Sequence, residues 1–313
     1  MLGIVLVLVA IMGTFGGVEG IDAGGERIAL IRVDGVIVAG ESGFSMFGGS
    51  ATGSDDVVDE IDRAIGDENV KGILLRINSP GGSAAGSQEI YNAVQRARKA
   101  GKTVVGSMAD VAASGGYYVA APCDTIFADP ATLTGSIGVI AVHQDLSGLF
   151  DKVGIGTEII KSGDLKDMFQ PAGPLSPEAR DVITALIDQV FDQFVDHVAE
   201  GRGMDRAAVV ALADGRVYTG QQAKENGLVD ELGGMHEALL KAGQLAGISG
   251  TPQLKEYGPP SIIQWLFGGT ASVRQREVAV TGGILYDDFA ARLARGAVGA
   301  ASPPAQRTDL GDM

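Results

Sequence analysis

One serine in this chain has the surroundings of a nucleophile. Ser114 stands in the stretch DVAASGGYYVAAP, between two alanines and two glycines, and precedes a short apolar run that ends at Pro122. At the start of a helix the backbone dipole favours negative charge on a nearby oxygen. A serine at this position also serves as an ordinary helix cap. These residues alone therefore leave two interpretations open, a cap or a nucleophile.

A second glycine-rich stretch supplies backbone donors. NSPGG, at 78–82, follows the apolar run GILLRI and precedes a helical pattern. Two successive glycines allow a sharp turn and leave their amide N–H groups unobstructed. Such a nest can hold a developing oxyanion. We expect Gly82 and Gly115 to donate to one oxyanion site, and the alternative is a tight turn without chemistry.

No histidine has the surroundings of a base for this serine. The chain has three: His143 after an apolar run, His197 within a long amphipathic pattern, and His236 in a late helical segment. A histidine base must be held against the serine by a third group. His197 lies off the apolar stripe of its own helix, and each of the three is more typical of an ordinary surface or helix residue.

Lysine is the other candidate base. EIIKSGDLKDMFQP, at 158–171, places Lys161 and Lys166 in a loop after a predicted strand, where α/β folds carry chemistry. A lysine acts as a base only where its surroundings keep the amine neutral near neutral pH. Thr134 and Ser136 of TLTGSIG offer hydroxyls that can orient such an amine. Spacing alone does not choose between the two lysines.

The elements that would position these residues alternate between strand and helix. Apolar runs predict strands at 26–40, which Asp34-Gly35 divides, and at 72–77, 103–108, 124–128, 137–142 and 156–161. Helical patterns fill 55–67, 87–101, 146–153, 204–213 and 235–246, and a long helix begins at Ser176-Pro177 and ends at Gly201. In the long helix we expect the stripe of Val182, Leu186, Val190, Phe194 and Val198 to be buried. This order predicts an α/β domain with a largely parallel sheet.

The N-terminus predicts a membrane anchor. Residues 1–18 carry no charged side chain and as a helix would reach about 27 Å, enough for a bilayer core. A signal peptide would need a basic start and an A-x-A-like site, and neither is present. We expect three parts: an anchor at 1–18, a catalytic domain at 19–250, and a partly disordered extension at 251–313 in which SIIQWLFGG, at 261–269, packs on the core or a partner.

Composition excludes several functions. A formal net charge of −15 argues against sequence-independent nucleic-acid binding. One cysteine and three scattered histidines supply no metal-ligand cluster. No glycine-rich stretch ends in the Lys-Ser/Thr pair of a P-loop. We therefore expect no nucleic acid, no metal and no cofactor.

Taken together, five motifs resemble the signal peptide peptidase A family of membrane serine proteases, in its short, single-repeat form. They are INSPGGS, ASGGYYVA, TLTGSIGVI, IKSGDLKD and GRVYTGQQAKENGLVDELGG, and the resemblance covers residues 28–247. It implies a ClpP/crotonase-like superhelix of repeated ββα units. It also implies a Ser/Lys dyad in which Ser114 is the nucleophile, Lys166 rather than Lys161 is the base, and Ser136 positions that lysine. Gly82 and Gly115 match the oxyanion-hole donors, and no position departs from the family pattern.

The resemblance also implies substrates and an assembly. Its substrates would be remnant signal peptides and other hydrophobic peptides, cleaved by an endopeptidase on the extracytoplasmic side of the cell membrane. Its assembly would be a homo-oligomer whose active sites take the serine and the lysine from neighbouring subunits. With the resemblance, Ser114 is expected both to cap its helix and to attack the substrate. The alternatives are a crotonase-type acyl-CoA enzyme and a non-catalytic membrane scaffold, neither of which needs a reactive Ser114.

Overall fold

A computed structural model of the chain describes residues 25–44 and 50–258. The strands are β1 Arg27–Asp34, β2 Val36–Val38, β3 Gly43–Phe44, β4 Ser50–Gly53, β5 Val70–Ser79, β6 Thr103–Ala113, β7 Thr125–Ala128, β8 Leu133–Gly135, β9 Val217–Thr219, β10 Glu231–Leu232 and β11 Gln253–Glu256. The helices are α1 Ser54–Gly66, α2 Ala84–Lys99, α3 Gly115–Ala120, α4 Ser147–Val153, α5 Pro177–Arg202, α6 Arg206–Leu212, α7 Gly220–Glu225 and α8 Met235–Leu245.

A parallel sheet forms the centre of the domain. Its strands lie in the order β10-β7-β6-β5-β1-β11, and each neighbouring pair is parallel. The middle strands β1, β5 and β6 read as nearly unbroken apolar runs because both faces of the sheet are covered. Such a sheet brings the carboxyl ends of its strands, and the loops that follow them, to one edge.

Side chains alternate between two cores. From β1, Ala29, Ile31 and Val33 join the larger core, which contains residues of α1, α2, α3 and α5. Ile28 and Leu30 point to the other face, where Ala238 and Ala242 of α8 complete a smaller core. Burial on both faces fixes the strand register, since a one-residue slip would exchange the two sets.

Two short groups of strands extend this framework around the carboxyl edge. β2, β4 and β3 form a separate three-stranded sheet. β8 pairs in parallel with the last residues of β6, and β9 pairs antiparallel with β8. β6 therefore ends between the loop after β5 and the loop after β8.

The α/β class and most predicted elements are confirmed, but two predicted strands are wrong. Segments 137–142 and 156–161 form no strand, and no described strand pairs with them. Ile140 is 87% exposed and Ile160 is 92% exposed. Strand formation depends on a neighbouring strand and a surface to pack on, and within one subunit these apolar residues have neither.

The buried stripe predicted for the long helix is half wrong. Phe194 and Val198 are buried and Val190 is half-buried, but Val182 and Leu186 are exposed. The N-terminal half of α5 buries Ala179 and Ile183 instead. Among residues 25–44 and 50–258, no helix is long and apolar enough to cross a membrane. The predicted anchor and SIIQWLFGG lie outside the described residues. The sheet itself extends past residue 250, through β11.

Candidate active site

Ser114 occupies a strained turn between β6 and α3. Its backbone has φ 51° and ψ −120°, and a positive φ is uncommon for a residue with a side chain. Its N–H donates to the carbonyl of Gly135 at 2.8 Å, and its carbonyl accepts from Tyr118 N–H at 2.9 Å. Such strain costs about 1–3 kcal/mol and persists where the surrounding structure enforces it, commonly at active sites. The turn leaves Ser114 half-buried.

The prediction that Ser114 caps its helix is wrong. Ser114 stands at the N-cap position of α3, but its side chain accepts no capping hydrogen bond. A capping serine normally has an extended backbone, which aims its oxygen at the next amides. The positive φ of Ser114 turns the hydroxyl away from that geometry. The hydroxyl oxygen is therefore not occupied as a cap.

The loop after β5 packs its backbone directly against this turn. Gly81 has φ 102°, and a Cβ at this position would lie 2.6 Å from the Gly115 nitrogen and 2.9 Å from Ser114 Cβ. Only glycine allows this approach. Ile37 of β2 fixes the loop, because its N–H donates to Gly81 O at 3.0 Å and its carbonyl accepts from Ser83 N–H at 2.8 Å.

Gly82 and Gly115 present free amides at the same place. A Cβ on Gly115 would lie 3.2 Å from the Gly82 nitrogen, so the two backbones are in near contact. None of the described residues accepts a hydrogen bond from either amide. Two unengaged N–H groups beside a serine hydroxyl have the composition of an oxyanion hole. The fold brings together the two glycines that the sequence suggested.

Ser136 lies beside Ser114 for a topological reason. Ala113 and Gly135 are register partners in the parallel pair of β6 and β8, so the two serines each follow a paired position. Ser136 also has a positive φ, 50°, and its N–H donates to Arg216 O at 2.8 Å. Thr134, the other candidate hydroxyl, is buried and donates to Ala112 O at 2.6 Å. Of the two hydroxyls, only that of Ser136 remains unengaged among the described residues.

A cavity of about 600 Å³ opens next to Ser114, Gly82 and Gly115. Its remaining walls come from the first turn of α2, from α3, from residues 138–140 and from α5. Apolar side chains make up much of the wall: Ala84, Ala85, Val139, Ile140, Val190 and Phe194. This size and lining suit an apolar side chain of a peptide bound across the serine.

Polar side chains form another part of the cavity wall. Tyr118 donates to Gln88 Oε1, and Gln193 Nε2 lies 3.2 Å from the Tyr118 hydroxyl. Burial raises the pKa of Tyr118 to about 12, so the phenol keeps its proton at neutral pH. The sequence predictions missed these wall residues, and their one signal is that Tyr118 follows Ser114 by four positions.

His197 is close to this wall but is not placed to serve Ser114. Its Nδ1 bonds the Tyr118 hydroxyl, and its ring stacks on Tyr91 with centroids 4.3 Å apart. Burial lowers its pKa, against the opposing charges of Glu200 and Asp196. His143 bonds Gly173 O at 3.0 Å instead, and His236 is exposed.

The two lysines differ in their surroundings. Lys161 Nζ donates to Asp164 O at 2.8 Å and forms an ion pair with Asp167 at 2.9 Å. Its amine is already engaged by these two oxygens, which disfavours a role as the partner of Ser114. Lys166 is exposed, and its Nζ has no polar partner among the described residues. Neither lysine lines the Ser114 cavity.

The fold therefore brings together four of the five predicted site residues. Ser114, Gly82, Gly115 and Ser136 meet at the carboxyl edge of the sheet. Lys166 lies in the segment between β8 and α5, and its side chain is not joined to the other four within one subunit. In the part of the chain that the structure describes, no group of histidine, cysteine and carboxylate side chains is arranged to hold a metal ion.

Comparison with known proteins places these residues in a family. Residues 96–249 match the family model of peptidase family S49, a range that includes Ser114, Gly115, Ser136 and Lys166. A putative signal peptide peptidase SppA from Enterococcus faecium is 42% identical over 218 residues, which are 69% of this chain and 63% of that protein. A putative protease of Synechocystis sp. is 39% identical over 253 residues, 80% of this chain and 86% of that protein.

Other relatives are longer or more distant. Protease 4 of Haemophilus influenzae is 36% identical over 220 residues, which are 70% of this chain but 35% of that protein. The chain thus spans less than two thirds of the Enterococcus and Haemophilus relatives. A ClpP1 structure from Listeria monocytogenes aligns over 66% of this chain and 91% of that chain with 16% identity and a TM-score of 0.42, too low to show a shared fold.

Proposed function

Because this chain belongs to peptidase family S49, the family of the signal peptide peptidase SppA, we propose that it is a membrane-anchored serine endopeptidase with a Ser/Lys dyad. The predicted family and its class, serine peptidase, are confirmed at the level of the family. Ser114 is the nucleophile, Lys166 the general base and Ser136 the hydroxyl that positions the lysine. The observation that carries the proposal is an uncapped Ser114 hydroxyl beside two unengaged backbone amides.

The proposed reaction uses only groups of the chain and water. The neutral amine of Lys166 takes the proton of Ser114 Oγ, which attacks the substrate carbonyl and forms a tetrahedral oxyanion. The amides of Gly82 and Gly115 donate to that oxyanion, and such a donor contributes about 3–4 kcal/mol to the transition state. Lys166 then gives the proton to the leaving amine. A water molecule, deprotonated by the same lysine, releases the acyl group from Ser114.

We propose that neighbouring subunits share this site. One subunit supplies Ser114 and both amides, while its own Lys166 is exposed and does not line the cavity. That segment also exposes large apolar side chains, among them Ile140, Ile160 and Phe169. An adjacent subunit that covers these side chains would also bring a lysine to each serine. Burial there would favour the neutral amine that the reaction needs.

The proposed substrates are remnant signal peptides and other hydrophobic peptides. The apolar walls of the cavity next to Ser114 support this class. Such peptides partition into bilayers, so an enzyme tethered through residues 1–18, with its domain outside the cytoplasm, would meet them at the membrane. We also propose that the observed α/β domain has the ClpP/crotonase-like fold, a superhelix of repeated ββα units.

Peptide hydrolysis by the wild type and three variants tests this proposal. A quenched-fluorescence peptide rich in Leu, Val and Ala is hydrolysed by the wild type, Ser114→Ala, Lys166→Ala and the matched control Lys161→Ala. We expect kcat to fall by at least about a thousandfold in the first two variants, because triad and dyad members act as a unit. The control should lose less than about threefold. Loss in Lys161→Ala with retention in Lys166→Ala would reverse the assignment of the base.

Labelling by a fluorophosphonate separates this proposal from its alternatives. The probe modifies an activated serine, and mass spectrometry locates the adduct. We expect it on Ser114 in the wild type and not in Lys166→Ala. A crotonase-type acyl-CoA enzyme or a scaffold would leave Ser114 unlabelled while the protein stays folded.

A further inference from the structure

A polar cluster lines the cavity one helical turn beyond Ser114. We use the name Tyr118 cluster for Gln88 of α2, Tyr118 of α3, and Gln193 and His197 of α5. The first three line the cavity, and His197 contacts Tyr118 from outside it. Tyr118 is 7% exposed, and its ring packs on Phe194 with centroids 4.8 Å apart. The reaction proposed above uses none of these four side chains.

The hydrogen-bond donors of the cluster can be assigned. Gln88 Nε2 donates to Asn92 Oδ1 at 2.8 Å, which turns Gln88 Oε1 toward Tyr118. That oxygen accepts from both the Tyr118 hydroxyl and Gln193 Nε2. A phenol has one proton, so the Tyr118 oxygen must accept from Gln193 Nε2 and from His197 Nδ1. The geometry therefore assigns the Nδ1-protonated form to His197.

Both oxygens of this wall are consequently saturated. Gln88 Oε1 has two lone pairs and two donors, and the Tyr118 hydroxyl uses its proton and both lone pairs. A polar side chain that entered the cavity would lose its hydrogen bonds to water and gain none from these oxygens. An apolar side chain of the same size loses nothing of this kind.

We propose that Tyr118 is a specificity-determining residue, whose hydroxyl saturates this side of the cavity wall and so disfavours hydrogen-bonding side chains at the substrate position next to Ser114. The inference rests on the proposed peptidase function and deepens it. Without the hydroxyl, Gln88 Oε1 regains a lone pair, and Gln193 Nε2 and His197 Nδ1 regain protons to donate. The wall then offers partners to a polar side chain while its shape changes little.

Two peptides that differ in polarity but hardly in size provide the test. They carry Met or Gln at the residue whose carbonyl Ser114 attacks, and kcat/KM is measured for each. We expect the wild type to prefer Met over Gln by roughly 10- to 100-fold, the cost of one or two unmade hydrogen bonds. In Tyr118→Phe that ratio should fall by about tenfold.

Tyr91→Phe is the matched control. It removes a hydroxyl from the same aromatic group, one bonded to Gln95 and Glu200, but Tyr91 does not line the cavity. Its Met/Gln ratio should equal that of the wild type. Circular dichroism checks that both variants are folded. Each variant is also labelled by a fluorophosphonate, which reports Ser114 independently of the peptides.

Three results would overturn the inference. If Tyr118→Phe is labelled at Ser114 and keeps the wild-type Met/Gln ratio, Tyr118 does not determine specificity and the peptidase proposal stands. If the wild type is folded but is neither labelled nor active on either peptide, both proposals fall. A fall in the ratio that Tyr91→Phe reproduces equally would assign the effect to packing rather than to the hydroxyl of Tyr118.

Discussion

Two regions of the site are built in different ways. The region around Ser114 is closely packed, with glycine backbones in near contact, two strained serines and a buried cavity wall. The region that carries Lys166, residues 137–176, has one short helix, α4, and exposes several large apolar side chains. A single subunit thus preorganises the nucleophile and the amide donors but not the base. On the proposal that neighbouring subunits share the site, an adjacent subunit completes the second region.

The largest expected effect comes from mixing two inactive variants, which tests whether the two regions of one site belong to different subunits. If neighbouring subunits share each site, co-assembled Ser114→Ala and Lys166→Ala subunits regain sites in which a native serine faces a native lysine. In a head-to-tail ring with random mixing, about one quarter of the sites would be intact. We therefore expect about a quarter of wild-type peptide hydrolysis from the mixture, against nearly none from either variant alone.

The controls for this experiment define its meaning. Each variant is denatured and refolded alone, and the same treatment is applied to the mixture and to wild type. Mixing without refolding should restore activity only as fast as subunits exchange. A refolded mixture that sediments as an assembly but stays inactive would place serine and lysine in the same subunit.

The next prediction compares the effect of adding a methyl group to one glycine in each region. A Cβ on Gly115 would lie 2.4 Å from Ser87 Oγ, so Gly115→Ala should lower the free energy of unfolding by about 1–3 kcal/mol through overpacking. Gly148→Ala is the matched change in the Lys166 region. A Cβ there meets nothing within 4 Å and Gly148 lies in α4, so the substitution should stabilise by up to about 1 kcal/mol. Urea unfolding followed by circular dichroism measures both, and equal effects would contradict the contrast.

The sequence could predict the packed region better than the other, and the reason is physical. Strand ends, glycine turns and the serine between them are local patterns, and the fold confirms their positions. The strands predicted at 137–142 and 156–161 failed because apolar runs report a tendency to be covered, not what covers them. The capping role of Ser114 failed because the backbone strain at φ 51° depends on β8, whose residues pair with positions of β6 that lie 22 residues earlier. The Tyr118 cluster joins three separate helices, and no local pattern encodes such contacts.

A buried carboxyl of the packed framework and a carboxyl of the Lys166 region give the next test. Glu60 of α1 is buried, and burial raises its pKa to about 7, against a lowering by Arg63. Because the folded pKa exceeds the unfolded value of 4.5, stability is lost as pH rises from about 4.5 to 7. Glu60→Gln should therefore raise the free energy of unfolding by about 3 kcal/mol at pH 8 and leave it nearly unchanged at pH 4.

Asp167, in the Lys166 region, is the control for that pH profile. Its hydrogen bond from Lys161 lowers the pKa of this half-buried carboxyl, so any stability it adds is present above its unfolded pKa and disappears only in acid. Asp167→Asn should leave the profile between pH 5 and 8 unchanged. If the free energy of unfolding of Glu60→Gln runs parallel to that of the wild type over this pH range, burial does not raise the pKa of Glu60.

The smallest expected effect on the subunit itself comes from Ile160→Ser. Ile160 is 92% exposed in one subunit, so the substitution should change the free energy of unfolding of dissociated subunits by less than about 0.5 kcal/mol. The matched change Ile61→Ser, at a fully buried position in α1, should cost at least about 3 kcal/mol. If the exposed isoleucine packs against a neighbouring subunit, however, Ile160→Ser should shift sedimentation toward smaller species and lower peptide hydrolysis in parallel. If sedimentation and activity of Ile160→Ser are unchanged, Ile160 does not lie in an interface. If Ile160→Ser instead loses about as much stability as Ile61→Ser, the Lys166 region already packs within one subunit.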